Sequence, residues 1–225
     1  MSAPLDRVIW TALAGRQNAQ AEGGPLARRY LTSILPFAAA RDTNPDALAA
    51  LATLPRPGDV IVQVERSPVL PPGLASVRTG TILQMVFAGA LPALADADIV
   101  LLGPADAEEM LSLARLTEPG PFTLRAQTLG TFRGIRINGR LAAMAGERFK
   151  LDGHSELSGV CTHPDYRGRR LARALSIAVT RDIVGRGEIP FLHAWTGNAT
   201  AIGLYESIGY TPRETFTLIA ATRPD

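Results

Sequence analysis

A mixed α/β fold is what this chain of 225 residues predicts. From about Asp98 onward, apolar runs of strand length alternate with segments whose apolar residues recur at helical spacing, and Pro, Gly and Asn punctuate the junctions. Gly139 marks a tight turn between two of the strand runs. The composition, 46% hydrophobic and 20% charged, is that of an ordinary globular chain. A compositional shift near residue 95 divides it into 1–94, an N-terminal α/β extension or degenerate partner half, and 95–225, the part that carries the chemistry.

The first part is rich in Ala, Pro and Gly. "LDRVIWTALAGRQNAQ" places Val8, Ile9, Ala12 and Leu13 at the spacing of a short amphipathic helix. "LARRYL" reads as a second helical piece, and "NPDALAALATL" as a third, with Asn44 at the N-cap and Pro45 at the first helical position. "GDVIVQVER" reads as a strand and "SPVLPPGLAS" as a loop.

In the second part, "ADIVLLG" is a strand and "PADAEEMLSLARLT" a helix with acids at its positive end. "EPGPF" is a loop; "TFRGIRIN", "RLAAMAGERFK" and "HSELSGVCT" are strands. A helix runs from about Gly168 to Val184, with Leu171, Leu175, Ala178, Val179 and Ile183 on its apolar face, and "GRGE" ends it. "PFLHAW" is strand-like, "NATAIGLYESIG" a short helix capped near Asn198, and "YTPRETFTLIAA" a final strand pair.

Several function classes lose their footing. The net charge of +2 is small, and a strand stands where a helix-turn-helix would need its first helix, which argues against nucleic acid. No apolar run approaches a membrane span. The single cysteine, Cys161, fits a reducing compartment, so the cytoplasm is the default. His154, His163, His193 and Cys161 have no familiar metal-ligand spacing, and no metal is expected.

The informative stretch is "THPDYRGRRLARAL". A strand that turns into a helix leaves the first helical amides without intrahelical partners, and the helix dipole adds positive charge there. Gly168 permits close approach of a phosphate, and Arg167 and Arg169 add full charges. A solvated basic helix start explains an arginine run equally well.

Two motifs about 30 residues apart decide further. "VCTHPDYRGRRLARAL" resembles the cofactor-binding segment of the GNAT acyltransferase superfamily, with Arg167 and Ala172 at matching positions and Arg170 where glycine is usual. "NATAIGLYESIGY" resembles the superfamily's later signature. The resemblance covers roughly residues 95 to 225 and is closest to the branch with glycine N-acyltransferase-like proteins.

The resemblance implies a mostly antiparallel sheet, flanked by helices, whose central parallel strands splay apart to admit acetyl-CoA as acyl donor. By it, Val160, Cys161 and Thr162 bond the pantetheine; the amides of Arg167, Gly168, Arg169, Arg170, Leu171 and Ala172 hold the pyrophosphate; and Asn198 contacts the pantetheine arm. Tyr205 is the implied acid for the departing thiolate. For the base, His193 stands beside the gap and Glu156 on the preceding strand is its rival; a core histidine and a surface carboxylate are their bland alternatives. Cys161 reads as a small buried hydrophobe rather than a nucleophile. Phe122, Arg125 and Phe132 could shape the acceptor pocket.

The expected activity is therefore transfer of an acetyl group from acetyl-CoA to an amine acceptor by direct attack on the thioester. The alternative is a non-catalytic acyl-CoA-binding or regulatory protein. Neither nucleic acid nor membrane is an expected partner, and a homodimer stays open.

Overall fold

The computed structural model describes residues 4–93 and 98–224. The chain divides into two units, Met1–Leu83 with Glu214–Asp225, and Gln84–Arg213. The division expected between residues 94 and 95 falls within 94–97, outside the described residues.

In the first unit, α1 (Val8–Ala14) buries Val8, Ile9, Ala12 and Leu13, the four residues that its spacing predicted. A small antiparallel sheet joins β1 (Ala21–Gly23), β2 (Ala27–Tyr30) and β3 (Ala38–Ala40) in that order. β2 corrects the expected helix in "LARRYL". Its backbone is paired on both sides, and the buried Arg29 ion-pairs with Asp59 and Glu22 at 3.0 Å each, so tertiary partners override the helical propensity of Leu, Ala and Arg.

α2 (Pro45–Thr53) starts at Pro45 as expected, but Asn44 makes no side-chain cap; its own amide donates to Asp42 Oδ1 at 3.0 Å. β4 (Val60–Glu65) follows, and β5 (Ala75–Phe87) is a strand of 13 residues. Ala75 and Ser76, expected at the end of a loop, open this strand. Ala47, Leu51, Ile61 and Ala221 lie in one apolar cluster beneath α2.

The second unit is a mostly antiparallel sheet with flanking helices. It contains β6 (Ile99–Leu102), α3 (Ala107–Thr117), β7 (Phe132–Ile137), β8 (Arg140–Leu151), β9 (His154–Thr162), α4 (Leu171–Gly185), β10 (Ile189–Trp195) and α5 (Ala199–Glu206). The strand order is β5, β10, β9, β8, β7, β6. Pairs from β6 to β9 are antiparallel, and β9 with β10 is parallel. α4 covers this sheet with Leu175, Ile177, Val179 and Ile183, each at most 1% exposed.

β11 (Tyr210–Thr222) is one strand, correcting the expected strand pair. Pro212 falls where its side chain is exposed, and a proline at such a position is compatible with extended backbone. β5 and β11 each begin in one unit and end in the other. Within the first unit, Thr217–Thr222 of β11 pairs antiparallel with β4.

Candidate active site

The parallel pair at the middle of the second unit is short. β10 meets β9 only where Ile189, Pro190 and Phe191 face His154, Ser155 and Glu156. Beyond that register β9 continues through 157–162 and β10 through 192–195, each with backbone groups no longer bonded to the other strand. An extended ligand can bond such an edge as an added strand.

Two bulges shape β9 on its other side. Between the pairs Gly146–Ser158 and Met144–Cys161, β9 holds two residues, Gly159 and Val160, against one on β8. Gly159 takes φ 63°, and a Cβ there would stand 3.0 Å from the Phe132 ring, so both conformation and space favour glycine. Between Glu147–Leu157 and Lys150–Ser155 the bulge is reversed: Arg148 and Phe149 oppose Glu156 alone.

That second bulge turns two donors onto one carboxylate. Arg148 Nε and Nη2 donate to Glu156 Oε2 and Oε1 at 2.7 and 2.8 Å, and the Phe149 amide donates to Oε2 at 3.4 Å. From β10, His193 Nδ1 approaches Oε1 at 2.7 Å. Glu156 is fully buried. Burial alone would push its carboxyl up, but the Arg148 charge and the bonds from Arg148 and His193 outweigh it and hold the group down, at about 2. Glu156 is thus a buried carboxylate with three donors, not a surface one.

His193 is equally confined, with its side chain 4% exposed. Its Nε2 lies 3.1 Å from Gln84 Nε2, and Gln84 Oε1 accepts from Arg213 Nη1 at 2.7 Å. The Phe191 ring stands edge-on to the imidazole at 5.8 Å, as residues two apart on one strand face should. Arg148, Gln84 and Arg213 were missed by the sequence reading. Nothing local marks them, since Gln84 and Arg213 are separated by 129 positions.

Tyr205 on α5 is 9% exposed, and its ring meets Tyr210 edge-on at 6.1 Å. Burial, then the Glu156 charge, then Cys161, raise the phenol well above its ordinary value, so it keeps its proton at every working pH. A protonated phenol can donate. Cys161 is buried, and burial pushes its thiol up to about 11, which removes it as a thiolate nucleophile. His163, two residues on, bonds elsewhere: Nδ1 accepts from the Asp165 amide at 3.2 Å and Nε2 lies 3.4 Å from Arg140 Nη2.

The arginine loop follows β9. Gly168 takes φ 79° and Arg170 φ 59°, flanking Arg169 with two left-handed residues. α4 therefore starts at Leu171, three residues later than the sequence predicted. Arg170 occupies the N-cap without a side-chain capping bond, and the Ala174 amide makes the first intrahelical bond to Arg170 O at 3.1 Å. The amides of Leu171, Ala172 and Arg173 thus precede the first intrahelical donor, the Ala174 N–H, and have no acceptor within the helix. Space beside Gly168 is open, whereas Arg169 stacks over Tyr166 at 5.4 Å. Together with Thr162 Oγ1, a buried hydroxyl with no protein partner, these groups fit a long ligand with an anionic end.

Asn198 caps α5, its Oδ1 accepting from the Ala201 amide at 3.0 Å. Phe132 packs edge-on to Phe122 at 5.7 Å inside the cluster of Leu102, Met110 and Cys161, while Arg125 is exposed. Among the described residues, no group of three His, Cys, Asp or Glu could hold a metal, and no helix is long and apolar enough to cross a membrane.

A sheet with a splayed parallel pair, and a strand-loop-helix anion cradle beside it, defines the class of acyltransferase-like α/β proteins. Residues 129–218 match the family of FR47-like proteins. Among solved structures, the chain is similar to a GNAT-family protein from Novosphingobium aromaticivorans, described as a candidate acetyltransferase, at 43% identity over all of both chains and a TM-score of 0.94. It is similar in fold to a GCN5-related N-acetyltransferase-like protein from Streptococcus suis, at 19% identity over 96% of this chain and 92% of that one, TM-score 0.61. A GCN5-related N-acetyltransferase from Kribbella flavida shares the fold at 16% identity over 97% and 95%, TM-score 0.63. No curated protein matches the chain. The chain belongs to the GNAT family, and acyl transfer is the activity class of that family.

Proposed function

We propose that the protein transfers an acetyl group from acetyl-CoA to an amine acceptor by direct attack on the thioester. The observation that carries this reading is the splay of β9 from β10 beside an uncapped helix start, with a buried carboxylate-histidine pair at the point of divergence. When bound, acetyl-CoA supplies the activated carbonyl. The amides of 160–162 would bond the pantetheine and polarise that carbonyl, and those of 167–172 would hold the pyrophosphate. Asn198 would reach the pantetheine arm with the amide nitrogen that its cap does not use. The Arg170 side chain would pair with a phosphate of the donor.

His193 is the base in this reading, and Glu156 orients it rather than competing for the proton, because a carboxylate held at about 2 is too weak a base. Tyr205 protonates the departing thiolate. Phe122 and Arg125 face the acceptor side in this reading, and the glycine N-acyltransferase-like branch is the kinship that we favour. The division at residue 94, with 1–94 as an extension or degenerate partner half, a cytoplasmic setting and a homodimer are part of the same proposal.

Calorimetric titration with acetyl-CoA, followed by an amine screen for thiol release, tests the reading. Saturable binding with acceptor-dependent release is expected; binding without release from any amine would favour a non-catalytic acyl-CoA-binding protein, and no binding would reject both. Tyr205→Phe should lower kcat by roughly 100-fold with donor affinity unchanged. Unchanged turnover at every pH would remove Tyr205 from its role.

A further inference from the structure

The chain of contacts around His193 is fixed from both ends by groups with a single hydrogen-bonding role. A guanidinium donates and never accepts, so the Gln84 atom 2.7 Å from Arg213 Nη1 is the amide oxygen. The amide NH2 is thereby turned toward His193 Nε2 at 3.1 Å, where it can only donate. At the other end, Glu156 is clamped by Arg148 at 2.7 Å and accepts, so the proton of the 2.7 Å contact belongs to His193 Nδ1.

We propose that Gln84, held by Arg213, is a positioning residue that fixes His193 as the neutral Nδ1–H tautomer and covers its basic Nε2 with an amide N–H, in the place that an acceptor's N–H takes during reaction. The tautomer follows from the contacts alone; the catalytic meaning rests on the amine-acetylating function proposed above.

The arrangement couples proton uptake to arrival of the acceptor. If Nε2 gained a proton while Gln84 stayed, N–H would face N–H. Gln84 cannot resolve this by turning over, because its NH2 would then face Arg213. An arriving amine displaces the amide, donates its own N–H to Nε2, and as its nitrogen bonds the acetyl carbon that proton passes to Nε2, while the C–S bond breaks and the thiolate leaves as the thiol with the proton of Tyr205. The resulting imidazolium keeps its Nδ1–H on Glu156. Among the described residues, the titratable and charged groups set about the imidazole include Glu156 on β9, Arg148 on β8, Arg213 on β11 and, acting through Glu156, Tyr205 on α5.

Long-range proton–nitrogen spectra of the full chain labelled with 15N-histidine test this, His193→Asn identifying the resonance. At pH 8 the wild type should show His193 with Nδ1 protonated and Nε2 bare. Gln84→Glu sets a carboxylate against Nε2 and should keep both nitrogens protonated to a pH at least about one unit higher, moving the acidic limb of kcat/KM up by the same amount. Gln84→Leu should leave Nδ1 protonated without that shift, so a residue that only fills space would not separate the two variants. An Nε2–H tautomer in the wild type overturns the proposal even if no variant folds, as does a Gln84→Glu titration unchanged from wild type. The stated spectrum in a chain that acetylates no amine supports the tautomer and overturns the proposed function instead.

Discussion

Glu156 carries a full charge with no exposed side-chain surface, and the bulge at Arg148 and Phe149 supplies the donors that make this tolerable. A carboxyl held at about 2 in the fold, against an ordinary 4.5, contributes stability that is fully present above pH 4.5 and is lost as the pH falls toward 2. The contribution is on the order of 3 kcal/mol. Glu156→Gln should lower stability at pH 7 by about 3 kcal/mol, because Arg148 is left without its carboxylate. It should also abolish this group's share of the decline between pH 5 and pH 2. Urea unfolding across that range measures both; a decline as steep as wild type would refute the assignment. His193 and Tyr205 were visible in the sequence because each sits in or beside a recognisable run. Glu156 was visible as a candidate beside them, but Arg148, Gln84 and Arg213 were not, because a bulge and distant strands bring them in.

At the scale of the element, the start of α4 answers why an arginine stands where a glycine is usual. Arg170 adopts the left-handed conformation that glycine would adopt, so the loop keeps its shape and the side chain adds a charge. That conformation costs an L-residue about 1–2 kcal/mol, partly offset because glycine loses more entropy on folding. Arg170→Gly should therefore raise stability by about 0.5 kcal/mol, seen as a higher urea midpoint with unchanged slope. In the proposed function it should weaken acetyl-CoA binding by roughly tenfold, the loss of one charge-assisted bond. A variant that lost stability would show that the cost lies elsewhere. The helices and strands near the site were legible because their signals are local: apolar spacing in α4, the Asn198 cap in α5, alternation in β10. β3 is three alanines and β2 reads as helix, so only their partners make them strands.

For the whole molecule, donor binding and stability are one equilibrium. Acetyl-CoA at about 100 times its dissociation constant should add about 2.7 kcal/mol and raise Tm by several degrees. Differential scanning with and without the donor measures this, and an unmoved Tm at saturation would contradict binding to the folded chain alone. The fold class was readable ahead of the structure because the alternation after Asp98 runs strand by strand. The passage of β5 and β11 from one unit to the other was not, because neither strand carries a change of composition there.

That passage has a practical result for anyone dissecting the protein. A fragment of 95–225 would begin downstream of Gln84 and would carry Thr217–Thr222 without β4, leaving six residues of strand with an open edge. Aggregation of such a fragment would say nothing about its chemistry. Neither unit can be released by one cut, so functional dissection calls for point substitutions in the intact chain or for a circularly permuted gene.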